Sequence, residues 1–315
     1  VKGAALANQS KGKHIITTKI EHAAMLSTCR QLEKEGFEVT YLDVDHDGIV
    51  DLEQLKRSIR SDTILIACMY ANNEIGTIEP VEEIAKIAKE HKILFFTDAV
   101  QAMPCMDIDV KKIGMDMMAF SSHKFNGPKG MGVLYIRTGV RIDSLIIGGH
   151  QERTRRGGTT NVPGVVGMAE ALRLNRLTLK EDCEYVASLR DRFVSRVENE
   201  IPFVKYNGHR TKRVPSNADF SFEYIEGESI LFSLDLAGIA VSSGSACSSG
   251  SLEPSHVLLA IGVEVALSHG SIRFSFGKEN TMEEVDYTVD RLKEIVSRLR
   301  NMSPLYKVES TVKEK

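Results

Sequence analysis

The chain has 315 residues, 42% of them hydrophobic, and a formal net charge of −3. That is enough apolar material for a buried core and enough length for two domains, with no long basic block to ask for nucleic acid or an anionic membrane surface. No apolar stretch is long enough to span a bilayer, and the N-terminus does not read as a signal peptide.

The opening "VKGAALANQSKGK" begins with Val and reads as the tail of a helix already under way. A chain that lacks an N-terminal segment is expected from it. "HIITT" (14–18) then reads as a strand and residues 20–35 as a helix; "EVTYLDV" is a strand and "DLEQLKRSI" a helix. "TILIACMY" is a strand, followed by the helix "PVEEIAKIAKEH" with Pro80 near its first turn. "ILFFTDA" and "DMMAFSS" are strands again, and Val133–Ile136 is a further apolar run after a Gly-Pro-Lys-Gly loop. Short apolar runs alternating with helical patterns predict an α/β fold with a mostly parallel sheet covered on both faces. Residues 162–200 become long, charged and helical. Beyond them, "ADFSFEYI", "IAVSSG" and "GSIRFSFG" alternate with helices, as in a smaller α+β domain. The expected division is 1–180 and 181–315.

Polar residues follow the buried runs in a telling way. "HIITT" leads to Glu21-His22, "TILIACMY" to Asn72-Asn73-Glu74, "ILFFT" to Asp98 with Gln101 three residues on, and "DMMAFSS" to His123-Lys124. In an open α/β sheet, ligands bind outside the carboxyl ends of the strands. Any one strand end is simply where polar residues begin, but four together form a constellation. A lysine at the edge of an apolar site can lose its proton and form a Schiff base. An aspartate can keep a pyridine nitrogen protonated and make the ring an electron sink. Ser and His beside the lysine suit a phosphate. The set points to pyridoxal 5′-phosphate (PLP).

Two other segments resemble sites. "DVDHDGIVDLEQ" places Asp43, Asp45, Asp47 and Gly48 as in a calcium loop, but its twelfth position is Gln54 and the preceding element is a strand. It reads better as a polar strand–helix turn. "ERTRRGG" (152–158) is basic but short and without interleaved aromatics, so it reads as a solvated or interface loop rather than a nucleic-acid contact.

Seven motifs in order carry a resemblance: "TTKIEHAAML", "ANNEIGTIEPVEEI", "TDAVQ", "SSHKFNGPKGMGVLYI", "GGHQERTRRGGT", "SSGSACSSGSLEPSHVLLAIG" and "GSIRFSFGKENT". From the first residues to about residue 300 the chain resembles the NifS/IscS-type cysteine desulfurases, which are fold-type I PLP enzymes of the class V aminotransferase superfamily. The resemblance implies a mostly parallel, seven-stranded-type sheet, a PLP cofactor and the conversion of L-cysteine to L-alanine. It implies that Lys124 bonds the cofactor and moves the substrate Cα proton, that Asp98 pairs with the pyridine nitrogen, and that Gln101 hydrogen-bonds the ring hydroxyl. His22 would stack on the ring and shuttle a proton, Asn73 would lie by cofactor and substrate, and Ser121 and His123 would bind the phosphate. Thr159 would reach the phosphate of the other subunit, so a homodimer is implied. Arg273 would grip the substrate carboxylate, a task suited to a planar bidentate donor. The family's N-terminal arm and Gly/Ala-Thr phosphate-binding turn are not found in these residues. Met103-Pro104-Cys105 stands where relatives usually have a glycine-containing turn.

The cysteines separate into two kinds. Cys29, Cys68, Cys105, Cys183 and Cys247 are scattered, odd in number and form no CxxC pair. That predicts reduced thiols in a cytoplasmic protein, with no disulfide framework and no resident metal. The first four read as small buried hydrophobes. Cys247 sits in "VSSGSACSSGSLEPS", whose composition predicts a mobile loop, where an exposed thiol can act as a nucleophile. The resemblance makes it the persulfide carrier that hands sulfur to an acceptor such as an iron–sulfur scaffold, and a candidate ligand for a transient iron–sulfur cluster. Two alternatives stand beside this reading: a selenocysteine lyase or other class V PLP enzyme, and a non-catalytic scaffold lacking the phosphate-binding turn.

Overall fold

A computed structural model describes residues 1–243 and 253–306. They divide into two compact units. One comprises residues 1–45, 49–73 and 78–179; the other takes residues 46–48 and 74–77 together with the chain from Lys180 onward.

In the first unit, α1 (Lys2–Asn8), β1 (His14–Thr18), α2 (Ala23–Lys34), β2 (Glu38–Leu42), α3 (Leu52–Ser58), β3 (Thr63–Ala67), α4 (Val81–Glu90), β4 (Leu94–Asp98), α5 (Val110–Ile113) and β5 (Met117–Ser121) alternate along the chain. A 3₁₀ turn over Ser122–Phe125 leads to β6 (Gly132–Ile136), α6 (Gln151–Thr154) and α7 (Val162–Leu177). The strands form one sheet in the order β2-β1-β3-β4-β5-β6. All neighbours pair in parallel except β5 with β6. This sheet has six strands among the described residues, against the seven-stranded type implied by the resemblance: β2 and β6 are its edges, and no further described segment pairs with either.

The strand sequences explain the double-sided burial. β1 and β3 are buried at all five positions, so adjacent residues must find cores on opposite faces. Ile16, Ile66, Phe95 and Met118 enter a core with Leu55 of α3 and Ile84 of α4. Their chain neighbours Ile15, Leu65, Phe96 and Met117 enter another with Ala5 of α1 and Cys29 and Leu32 of α2.

The second unit contains α8 (Leu179–Glu200), β7 (Val204–Asn207), β8 (Asn217–Phe222), α9 (Gly227–Leu236), β9 (Ser242–Ser243), α10 (His256–Ala260), α11 (Val265–His269), β10 (Ser271–Ser275) and α12 (Met282–Met302). Its strands run antiparallel in the order β7-β8-β10-β9. Here the side chains do alternate. Ala218, Phe220, Phe222, Ile272 and Phe274 pack against α8, α9 and α12, while Asn217, Asp219, Ser221, Ser271 and Arg273 occupy the intervening positions. Thr281 and Glu284 form a reciprocal capping box that starts α12. Arg213, 5% exposed, anchors residues 74–77: its guanidinium donates to the Ile75 carbonyl at 2.9 Å and to Asn217 Oδ1 at 2.8 Å, and lies 4.2 Å from the centre of the Tyr206 ring.

The calcium-like segment is a capped turn. Asp43 pairs with Lys19 and accepts from Gln54 at 2.9 Å, Asp45 accepts from the Ile49 N–H at 2.9 Å, and Asp51 caps α3. Cys29 and Cys68 are buried as expected; Cys105 and Cys183 are only half-buried. Burial pushes the Cys29 thiol up to about 12.

Candidate active site

β1, β3, β4 and β5 are consecutive and parallel in the sheet, so the residues that follow them emerge at one edge. At the end of β1, Glu21 is buried and accepts the Met69 N–H at 2.8 Å and the Thr18 hydroxyl at 3.0 Å. Burial raises its carboxyl to about 8, although both hydrogen bonds favour the ionised form. His22 is the N-cap of α2, and its Nδ1 accepts the Ala24 N–H at 3.2 Å, which fixes the ring orientation. After β3, the buried Asn72 donates to the Ile20 carbonyl at 2.9 Å, joining two strand ends, and Asn73 is half-buried.

Asp98 closes β4. Its carbonyl accepts the Tyr70 N–H at 2.8 Å and its Oδ1 accepts the Val100 N–H at 3.0 Å. Burial raises the carboxyl above its usual range, while the Val100 N–H and the positive charges of His22 and Lys124 act the other way. His22, Asp98 and Lys124 thus share one electrostatic neighbourhood. Gln101 lies half-buried in the turn beyond.

The lysine turn after β5 is built by a tight backbone. The Ser122 N–H donates to Met131 at 3.0 Å, the Gly127 N–H returns to Ser122 at 3.0 Å, and Asn126 takes a left-handed conformation with φ 63°. A Cβ at Gly127 would fall 2.1 Å from Ser122 Oγ, so any other residue here must displace that hydroxyl or shift the turn. The turn leaves His123 and Lys124 exposed and Ser121 half-buried, with Ser122 buried beneath and its hydroxyl without a hydrogen-bond partner among the described residues.

These groups fit PLP chemically: an accessible primary amine, a partly desolvated carboxylate close to two cationic side chains, an amide, an oriented imidazole, and hydroxyl and imidazole groups beside the amine. Thr159 lies exposed beyond α6, in the same unit. Arg273 is half-buried on β10 in the other unit. Cys247 lies outside the described residues.

In the sequence Glu21 and Glu74 stand out only as strand-end polar residues, and Asp219 does not stand out. Asp219 is fully buried and pushed up to about 7 by burial. The alternation in "NADFSF" was the available signal, since it puts residues 217, 219 and 221 on a common polar face.

The class-V aminotransferase family profile matches residues 1–288. The chain is 54% identical over 315 residues to the cysteine desulfurase IscS of Dictyoglomus turgidum, covering 100% of this chain and 80% of the relative. It is 55% identical over 305 residues to the cysteine desulfurase IscS of Methanosarcina thermophila, covering 97% and 75% respectively. Among solved structures, a NifS-like protein superposes with a TM-score of 0.88 at 40% identity, covering 95% of this chain and 79% of that one.

Proposed function

The chain belongs to the class-V aminotransferase family and, within it, to the NifS/IscS-type cysteine desulfurases, and from that premise we propose which residues perform the reaction. The activity is PLP-dependent conversion of L-cysteine to L-alanine, with the sulfur passed on for iron–sulfur assembly. One observation carries the assignment of residues: His22, Asn73, Asp98 and Lys124 follow four adjacent parallel strands, and the charges of His22 and Lys124 act on Asp98.

Bound PLP supplies an electron sink for the substrate α-carbon. Lys124 would anchor the cofactor through its Nζ and then move the Cα proton. Asp98 would hold the proton on the pyridine nitrogen, and its position in a half-buried strand end would strengthen that interaction. Gln101 would donate to the ring hydroxyl. His22 would cover the ring, its own orientation set by the Ala24 N–H. Asn73 would lie by cofactor and substrate. Ser121 and His123 would hold the phosphate, and Thr159 would serve the phosphate of a second subunit in a homodimer. Arg273 receives the substrate carboxylate through paired N–H donors. The Cys247 thiolate attacks the substrate sulfur; a sulfur–sulfur bond forms as the carbon–sulfur bond breaks, and protonation of the carbon gives alanine. The sulfur acceptor is a protein thiol, such as that of an iron–sulfur scaffold, which takes the outer sulfur by the same kind of attack. No helix among the described residues is long and apolar enough to cross a membrane, and the scattered thiols support a cytoplasmic setting.

The test is absorbance and turnover. PLP added to the purified protein should give a yellow bound form, and L-cysteine should yield alanine. Lys124→Ala should abolish both, and Cys247→Ala should keep the absorbance and lose persulfide formation. A Lys124→Ala protein with full absorbance and turnover would overturn the assignment.

A further inference from the structure

Strand pairing sets the neighbours of Arg273. On β10 it lies opposite Asp219 of β8 and Ser242 of β9, and Asp219 lies opposite Asn207 of β7. Directly opposed residues share a face, with Cβ atoms about 5 Å apart. Asn207, Asp219, Arg273 and Ser242 therefore form one polar row across all four strands, on the face away from Phe220 and Ile272. It is no solvent face: Asn207 is 1% exposed and Asp219 0%. Asn207 donates to Asp219 Oδ1 at 2.7 Å and to Ser221 Oγ at 2.9 Å.

Glu74 reaches the same row from the 74–77 segment. It is buried, its carboxyl accepts the Ser255 hydroxyl, and its backbone carbonyl accepts Asn217 Nδ2 at 2.7 Å. The charge of Arg273 acts on Glu74 and on Asp219, and the two carboxyls act on each other. Arg213 adds a positive charge toward Asp219, but its two terminal nitrogens are engaged by backbone carbonyls and Asn217. Two buried carboxyls thus share an electrostatic neighbourhood with one half-buried guanidinium.

An arginine carries a long stem whose freedom must be surrendered before a bidentate contact forms. A guanidinium already held in place receives a carboxylate at lower cost. We propose that Glu74 is a positioning residue for Arg273, with Asp219 steadying the same guanidinium from the neighbouring strand, so that it is held in the posture that receives the substrate carboxylate. The inference rests on Arg273 being the substrate-carboxylate residue. It has a pH consequence. Burial places Glu74 and Asp219 near 7, so the charges that position the guanidinium are lost as pH falls through that range, and KM rises as pH decreases.

The experiment is steady-state kinetics of the PLP-loaded full chain. Glu74→Gln should raise KM for L-cysteine about tenfold, with kcat changed by less than about twofold, through loss of the negative charge that acts on Arg273. The absorbance of bound PLP should not change, and the pH dependence of KM should flatten. Glu74→Asp, which keeps the charge but shortens the reach, should raise KM less and retain the pH dependence; it also serves if the Gln variant does not fold. Wild-type or lower KM in both variants overturns the proposal. Arg273→Ala separates the two levels: an unchanged KM there removes the reading of Arg273 itself and the proposal with it, while a raised KM beside wild-type Glu74 variants removes only the positioning role.

Discussion

Glu21 Oε1 accepts the backbone N–H of Met69 at 2.8 Å, so one buried carboxyl ties the end of β1 to the segment following β3. Glu79, also buried, accepts the Val50 N–H at 3.0 Å. Burial raises both from an ordinary 4.5 to about 8. Such groups hold a proton more tightly when folded than when unfolded. Between about pH 4.5 and 8 the folded chain therefore binds more protons, and these groups make stability fall as pH rises across that window. Urea unfolding at pH 5.5 and 8.5 should show the decline. Glu79→Gln, which keeps an acceptor for Val50, should flatten it; an unaltered pH slope would refute the assignment.

At the catalytic pair, Lys124→Ala should lower alanine formation by about a thousandfold, the scale of a lost proton-transfer group. Asp98→Asn should fold normally, because the Val100 N–H still finds an oxygen, yet reduce kcat by about a hundredfold. Far-ultraviolet circular dichroism beside the kinetics distinguishes this from misfolding.

Gly127→Ala would place a methyl 2.1 Å from Ser122 Oγ and 3.2 Å from the Ala171 side chain. Either that hydroxyl is displaced or the turn carrying Lys124 shifts. PLP titration followed by absorbance should show affinity weakened by about fivefold to a hundredfold, for a clash costing about 1–3 kcal/mol at about 1.4 kcal/mol per decade.

Phe193 is fully buried, with ring centres 4.5 Å from Phe274, 5.4 Å from Phe276 and 6.1 Å from Phe220. Phe193→Ala should cost about 3–5 kcal/mol. Denaturant unfolding should show the loss; a shift below about 1 kcal/mol would mean that this cluster collapses around the gap.

Much of the first unit was legible because its strands are short apolar runs bounded by polar residues. "HIITT" and the start of "TILIACMY" become β1 and β3 within a few residues of the expected limits, and the polar residues after them mark the ligand edge. β7 was not legible: Val204–Asn207 is four residues long, and only Asn207 is buried. The flanking of Arg273 was also hidden. Residue types reveal that "NADFSF" and "SIRFS" alternate, but only the antiparallel register sets 219 opposite 273. Half-buried Cys105 and Cys183 show the reverse limit, since a cysteine's apolar character does not say how deep its neighbours will bury it.

The anchoring of residues 74–77 by Arg213 bears on how such a chain can be recombined. The Ile75 carbonyl is an acceptor for a buried guanidinium 138 positions later in sequence. A cut at Lys180 would carry Arg213 away without that acceptor, leaving its buried guanidinium with one charge-assisted hydrogen bond fewer. The second unit is therefore no cassette. Crossovers between related genes that exchange everything after the long helices would have to preserve the short early stretch as well, and inheritance of the two pieces is coupled by the side chains of Arg213, Asn217 and Ser255.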